Sequence, residues 1–170
     1  MLRAALSALL LLSLGACSTL SPSAESGPPT GVPVVLNPVA NLDPVALLVN
    51  SATSMLGQPY RYGGAGPGGF DCSGLVEYAA RNAGISLPRT AQEQMTTGTS
   101  VARAELQPGD LVFLHLTRKE LHVGLALGAD RFIHAPSRGR NVRIDSLAAA
   151  PYSKSFFAAR RIIASPTPPQ

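Results

Sequence analysis

Charge and cysteine are both scarce in this chain. Only 14% of its 170 residues are Asp, Glu, Lys or Arg, and there are two cysteines and no tryptophan. Two cysteines rule out a multiply disulfide-stapled framework. No Lys/Arg run is interleaved with aromatics, so no nucleic-acid partner is expected. The glycine-rich stretch lacks the Lys-Ser/Thr ending of a phosphate loop, which excludes nucleotide binding of that kind. No internal repeat is visible. What remains is long enough for one domain with a real core, and not for two. Beyond the first sixteen positions, thirteen basic residues face ten acidic ones, a net +3. That mild surplus is compatible with work near an anionic polymer.

Much of the apolar excess sits at the N-terminus. Arg3 supplies a positive charge, and the apolar run from Ala4 to Leu14 is too short for a comfortable transmembrane helix. Residues 1–16 therefore read as a secretory signal. Leu14-Gly15-Ala16-Cys17 resembles a bacterial lipobox, which implies that Cys17 receives lipid and becomes the mature N-terminus. Ser18 at the next position implies the outer membrane, with the protein facing the periplasm. Acyl chains hold by about 0.8 kcal/mol per buried CH₂. The Ser-, Pro- and Gly-rich stretch to Leu42 makes residues 17–42 a lipidated tether, spanning about 25–30 Å on average. With Cys17 acylated, Cys72 is the one thiol left and no internal disulfide is available.

Residues 43–164 read as the folded domain and 165–170 as a frayed tail. Asp43-Pro44 is an N-cap followed by proline at the first helical position, and Gly57 closes that helix. Asp71 caps a second helix, which ends near Gly84 and carries Cys72 in its first turn. Free N–H groups and the positive end of a helix dipole favour a thiolate, so this placement predicts a lowered cysteine pKa. The intervening glycines of residues 58–69 are expected to allow tight turns and close approach of a substrate chain. Thr90-Ala91-Gln92-Glu93 is a capping box opening a short helix to about Thr97. Strands are expected at 111–116, 122–127, 131–135, 141–145 and 156–164, with Gly128-Ala129-Asp130 as a hairpin turn. Helices first and antiparallel strands after argue an α+β domain. If residue 125 pairs with 131, residue 122 faces 134, and His122 and His134 share one face of the sheet. Such a pair suits a relay in which one imidazole takes the thiol proton and the second orients the first. His115 has no partner in this pattern. A single free Cys with two His lacks a fourth ligand, so no metal and no cofactor are expected.

Pro59-Tyr60-Arg61-Tyr62-Gly63-Gly64, Phe70-Asp71-Cys72-Ser73-Gly74, Leu87-Pro88-Arg89-Thr90, Pro108-Gly109-Asp110-Leu111, His122-Val123-Gly124-Leu125 and Phe132-Ile133-His134-Ala135 occur in this order. Together they resemble the NlpC/P60 family of bacterial cell-wall cysteine peptidases. Within it, the lipobox and the Tyr-Arg-Tyr-Gly-Gly segment are most like the Spr/MepS-type murein endopeptidase lipoproteins. The resemblance implies a papain-like fold in which Cys72 is the nucleophile, His122 the general base and His134 the residue orienting it. It places Tyr60 beside the nucleophile, in contact with substrate or oxyanion, and gives Asp71 and Ser73 a part in holding substrate.

The implied substrate is the peptide part of peptidoglycan, cut in its stems or cross-links. A non-catalytic wall-associated scaffold, or an amidase or acyltransferase on the same fold, are the rival readings. Two departures bear on the substrate groove: Leu121 stands where a small polar residue usually precedes His122, and Arg138 and Arg140 follow the second histidine. No separate wall-binding segment is visible, which leaves localisation to the lipid and tether. Protein partners are not legible.

Overall fold

Asp43 ends its turn by accepting a hydrogen bond from Val45 N–H at 3.0 Å, and α1 (Pro44–Thr53) starts there. The computed structural model describes residues 43–117 and 120–164. The expected signal segment, Cys17, the tether to residue 42 and the 165–170 tail lie outside the described residues. The α1 helix is shorter than the glycine at 57 suggested. Its last turn gives way to turns through Met55 and Leu56 before Gly57 adopts φ +82°.

The glycine-rich segment is not simply a loop. It holds a small antiparallel hairpin, β1 (Ala65–Gly66) and β2 (Gly69–Phe70), which delivers the chain to Asp71. Helix α2 (Cys72–Asn82) follows, with Leu75, Val76, Ala79 and Ala80 buried, spaced three to four residues apart on one face. Its first turn comes so close to the hairpin that a Cβ on Gly74 would collide with the carbonyl oxygen of Gly64. The glycines therefore permit close approach, but of one protein backbone to another. The short helix α3 (Ala91–Gln94) carries the expected capping box, formed reciprocally by Thr90 and Glu93.

Six strands form one antiparallel sheet: β3 (Thr99–Ser100), β4 (Leu111–Thr117), β5 (Glu120–Gly128), β6 (Arg131–His134), β7 (Arg143–Ser146) and β8 (Phe156–Arg161), in the order β3-β8-β4-β5-β6-β7. The edge strand β3 escaped the sequence reading because its two residues are exposed and carry no alternation. Odd-numbered side chains of β4 and β5, such as Leu111, Phe113, Val123 and Leu125, pack under α1 and α2. Even-numbered ones, with Phe132 and Leu147, form a second apolar cluster on the opposite face. A leucine or phenylalanine fully buried in this way contributes about 1.5–3 kcal/mol. The last strand is fastened by Arg161, which donates to both oxygens of buried Asp110 at 2.8 Å.

Residues Ala129 and Asp130 both have positive φ, so the β5–β6 turn is a two-residue loop closed by Gly128 and Arg131. This corrects the expected register. Leu125 pairs with Ile133, not Arg131: the expected pairing left residues 126–130 in the loop, whereas the strands pair up to Gly128 and Arg131, with a bulge between Ala126 and Gly128. Continued by one step, the register sets Gly124 opposite His134. His122 then lies two residues along, on the same face, and meets His134 diagonally.

Candidate active site

Asp71 sets the geometry around Cys72. Its Oδ1 accepts from the Gly74 N–H at 2.7 Å and from the Ser73 hydroxyl at 3.3 Å, and its Oδ2 accepts from the Gly63 N–H at 2.9 Å. Arg89 closes the set with a two-pronged bond of 3.0 and 2.6 Å and also donates to Ser73 Oγ at 3.0 Å. One carboxylate thus caps α2, anchors the glycine hairpin and holds the loop before α3. Its oxygens, and the Ser73 hydroxyl beside them, are engaged by the protein itself.

Tyr60 is fixed alongside. The Phe70 N–H donates to Pro59 O at 3.1 Å, the Arg61 N–H donates to Phe70 O at 2.8 Å, and the Tyr60 N–H donates to Arg140 O at 2.8 Å. Burial and the nearby Cys72 and Asp71 raise the Tyr60 phenol pKa, so the hydroxyl keeps its proton. Tyr62, two residues on, is 82% exposed. The Arg140 contact also brings the exposed Arg138–Arg140 turn beside Tyr60. Leu121 is half-buried against the helix-side core.

Cys72 is the first residue of α2 and is half-buried. The backbone N–H groups of Val123, Ser73 and Cys72 itself face its sulfur and favour the thiolate, as a helix N-terminus should. Burial outweighs them, and the Asp71 charge adds to it, so the thiol pKa is raised and not lowered as expected. The basic side chain that feels the sulfur, Arg89, is bonded to Asp71, and its charge does not offset the desolvation of the thiolate.

The Val123 N–H brings the sulfur against β5 at the residue that follows His122. His122 and His134 are both buried, and His122 Nε2 lies 2.7 Å from His134 Nδ1. Among the described residues, Nδ1 of His122 has no hydrogen-bond partner. Gly124 makes the diagonal meeting feasible: a Cβ there would come within 2.7 Å of the Phe132 ring and 3.2 Å of His134 Cβ. Burial, reinforced by the neighbouring imidazole, drives the His122 pKa down to about 3. Burial likewise lowers His134, against the opposing pull of Asp145. His115, by contrast, is exposed and stacks edge-on against Phe157, 4.4 Å between centroids, away from this group.

Asp145, Arg143 and Tyr152 were not singled out in the sequence. His134 Nε2 lies 3.0 Å from Asp145 Oδ2, which also accepts from the Tyr152 hydroxyl at 2.8 Å and from Arg143 Nε at 2.9 Å. Burial alone would raise the Asp145 pKa, but the bonds from Arg143, His134 and Tyr152 outweigh it and hold it at about 2. The Tyr152 phenol is pushed up to about 12 by burial and that carboxylate. The available signal was register: Asp145 pairs with Phe132 and Arg143 with His134, so all four share one face.

An α+β domain in which a cysteine opens a helix packed on an antiparallel sheet, with linked histidines on that sheet, has a papain-like architecture. The sequence model of the NlpC/P60 family matches residues 57–161. The chain belongs to that family. It is 38% identical over 125 residues to the murein DD-endopeptidase MepH of Escherichia coli, covering 70% of this chain and 46% of that protein. It is 42% identical over 118 residues to the gamma-DL-glutamyl hydrolase of Bacillus subtilis, covering 67% of this chain and 28% of that one. Among solved structures, an NlpC/P60 family protein from Bacillus cereus matches with a TM-score of 0.66 at 34% identity, over 71% of this chain and 40% of the other. The chain therefore spans less than half the length of these relatives.

Proposed function

We propose that this protein is a cysteine peptidase that hydrolyses amide bonds in the peptide stems or cross-links of peptidoglycan. The observation that carries the reading is the Cys72 sulfur at a helix N-terminus, against the backbone N–H of Val123, the residue after His122, with His122 Nε2 bonded to His134 Nδ1. Both members of the pair are neutral at rest, since burial raises the thiol and lowers the imidazole. The proton therefore moves from Sγ to His122 Nδ1 as the sulfur attacks the amide carbonyl, and not beforehand as a standing ion pair.

The oxyanion that forms lies against the free N–H groups of the first turn of α2, with the Tyr60 hydroxyl as a second donor. Loss of one such donor typically costs about 10²–10³ in rate. His122 then returns the proton to the leaving amine, and water clears the thioester. His134 orients His122, and Asp71 and Ser73 shape the floor on which substrate rests.

Residues 1–16 act as the signal, Cys17 carries the lipid, and the tether lets a domain held at the outer membrane reach the wall from the periplasmic side. Among the described residues no helix is long and apolar enough to cross a membrane. The names of the two relatives point to two different bonds, a DD bond of murein and a γ-DL-glutamyl bond. Mass spectrometry of peptidoglycan digested by the purified protein tests the proposal and names the bond. New peptide termini that appear with wild type and not with Cys72→Ala support it. An unchanged muropeptide profile with wild type refutes it, and new sugar-linked lactyl termini would reassign it as an amidase.

A further inference from the structure

We infer that Asp145 is a positioning residue that fixes the tautomers of both buried imidazoles, leaving the lone pair of His122 on Nδ1. The inference deepens the reading of Cys72 and His122 as nucleophile and base, and rests on it.

The argument is one of donors and acceptors. An ionised carboxylate only accepts. Asp145 is held ionised by three donors converging on it, from His134, Tyr152 and Arg143. The hydrogen between His134 and Asp145 therefore sits on His134 Nε2. A neutral imidazole carries one N–H, so His134 Nδ1 is a bare acceptor. Across 2.7 Å it faces His122 Nε2, which must be the donor. His122 is neutral too, so its Nδ1 is bare. Starting from a carboxylate, only this assignment satisfies every contact at neutral pH.

The layout repeats one step twice. His122 lies two residues along β5 from the position facing His134, and Asp145 lies two residues along β7 from Arg143, the partner of His134. The chain of bonds thus crosses three adjacent strands diagonally on one face. When the Sγ proton reaches His122 Nδ1, the new imidazolium donates through Nε2 to His134, whose Nε2–H is already engaged by Asp145. No second proton transfer is needed, and the positive charge forms within reach of a fixed negative one.

Asn at position 145 has nearly the same shape but brings an NH₂ toward donors. With the amide oxygen in the place of Oδ2 the Arg143 bonds to Oδ1 are lost and the negative charge with them; with the NH₂ there the His134 and Tyr152 bonds must reverse or break, and His134 gains the option of the other tautomer. A corresponding Asp→Asn change in a Ser-His-Asp triad lowers kcat about 10⁴-fold by that route. Here the carboxylate acts through an extra ring, and a fall of about 10²-fold or more is expected, with KM within a few-fold. Tyr152→Phe keeps the carboxylate and should cost only a few-fold.

The test is ¹⁵N-imidazole NMR of the full-length protein at neutral pH, with exposed His115 as internal reference, alongside kcat and KM for wild type, Asp145→Asn and Tyr152→Phe. The expected result is Nε2–H with bare Nδ1 on both buried rings in wild type and in Tyr152→Phe, and loss of that pattern in Asp145→Asn together with the fall in kcat. A hydrogen on Nδ1 of His122 in wild type overturns the inference without any variant having to fold. So does Asp145→Asn that keeps both the tautomers and kcat. A wild-type protein with the stated tautomers but no action on peptidoglycan would instead refute the proposed function and leave the tautomer assignment standing.

Discussion

A thiol pushed up and an imidazole pushed down make a neutral resting pair for the proposed nucleophile and base, and both shifts have one origin. The helix N-terminus favours sulfur charge, yet desolvation is larger and the one nearby guanidinium is bound to Asp71. Alkylation of Cys72 by iodoacetamide should therefore be slow at pH 6–7 relative to an exposed thiol and should rise only above the ordinary thiol range. A rate already at its plateau near pH 6 would mean a standing thiolate–imidazolium pair. Buried His122 also links stability to pH. Its folded pKa, about 3, lies below the unfolded value of about 6.5, so the unfolded chain binds the extra proton between these limits. Stability should fall as pH drops through that window, by up to about 1.4 kcal/mol per unit from this group. Asp145 adds in the same direction lower down, between about 3.8 and its folded value of about 2. Urea unfolding at pH 7 and pH 4.5 checks the sign: the slope should flatten in His122→Gln, and an unchanged slope would remove His122 from the account.

Glycine decides where the secondary-structure elements meet. Gly74 lets α2 reach the hairpin, and Gly124 lets two histidine rings on neighbouring strands converge. Gly124→Ala should displace His134 from His122 and lower kcat by more than an order of magnitude. Overpacking of this kind costs about 1–3 kcal/mol in stability. A melting temperature and kcat both close to wild type would show that the space is not needed. Helix caps were legible from sequence because Asp43, Asp71 and Thr90 each act within three residues of themselves. So was the strand ladder from β4 to β7, where short apolar runs are bounded by turn residues and Val142 and Ile144 alternate with polar neighbours. The shared face of His122 and His134 followed from parity, while their offset did not, because it depends on how far the strands pair toward the turn and on the bulge between Ala126 and Gly128. Asp145 stayed hidden for a related reason. Its partners Tyr152 and His134 come from separate segments, and an Asp ending an exposed strand resembles any solvated carboxylate until the β6–β7 register is known. Arg89 was legible as part of a motif, but its grip on Asp71 needed the fold.

At the scale of the whole molecule, a domain with its nucleophile at the junction of helix and sheet is proposed to work at the end of a lipidated tether. Cys17→Ser should move the protein from the membrane fraction to the soluble periplasmic fraction while leaving its activity on isolated peptidoglycan near wild type. Continued membrane association of that variant would contradict the lipid anchor. The central claim concerns one bond: the acyl group of a wall peptide passing through the sulfur of Cys72. Acid-quenched intact-mass spectrometry during turnover of a soluble muropeptide tests it most directly. The account predicts a transient adduct with the mass of the substrate's acyl portion, mapped to Cys72 and absent in Cys72→Ala. Sustained turnover by Cys72→Ala, or an adduct mapped to another residue, would contradict it.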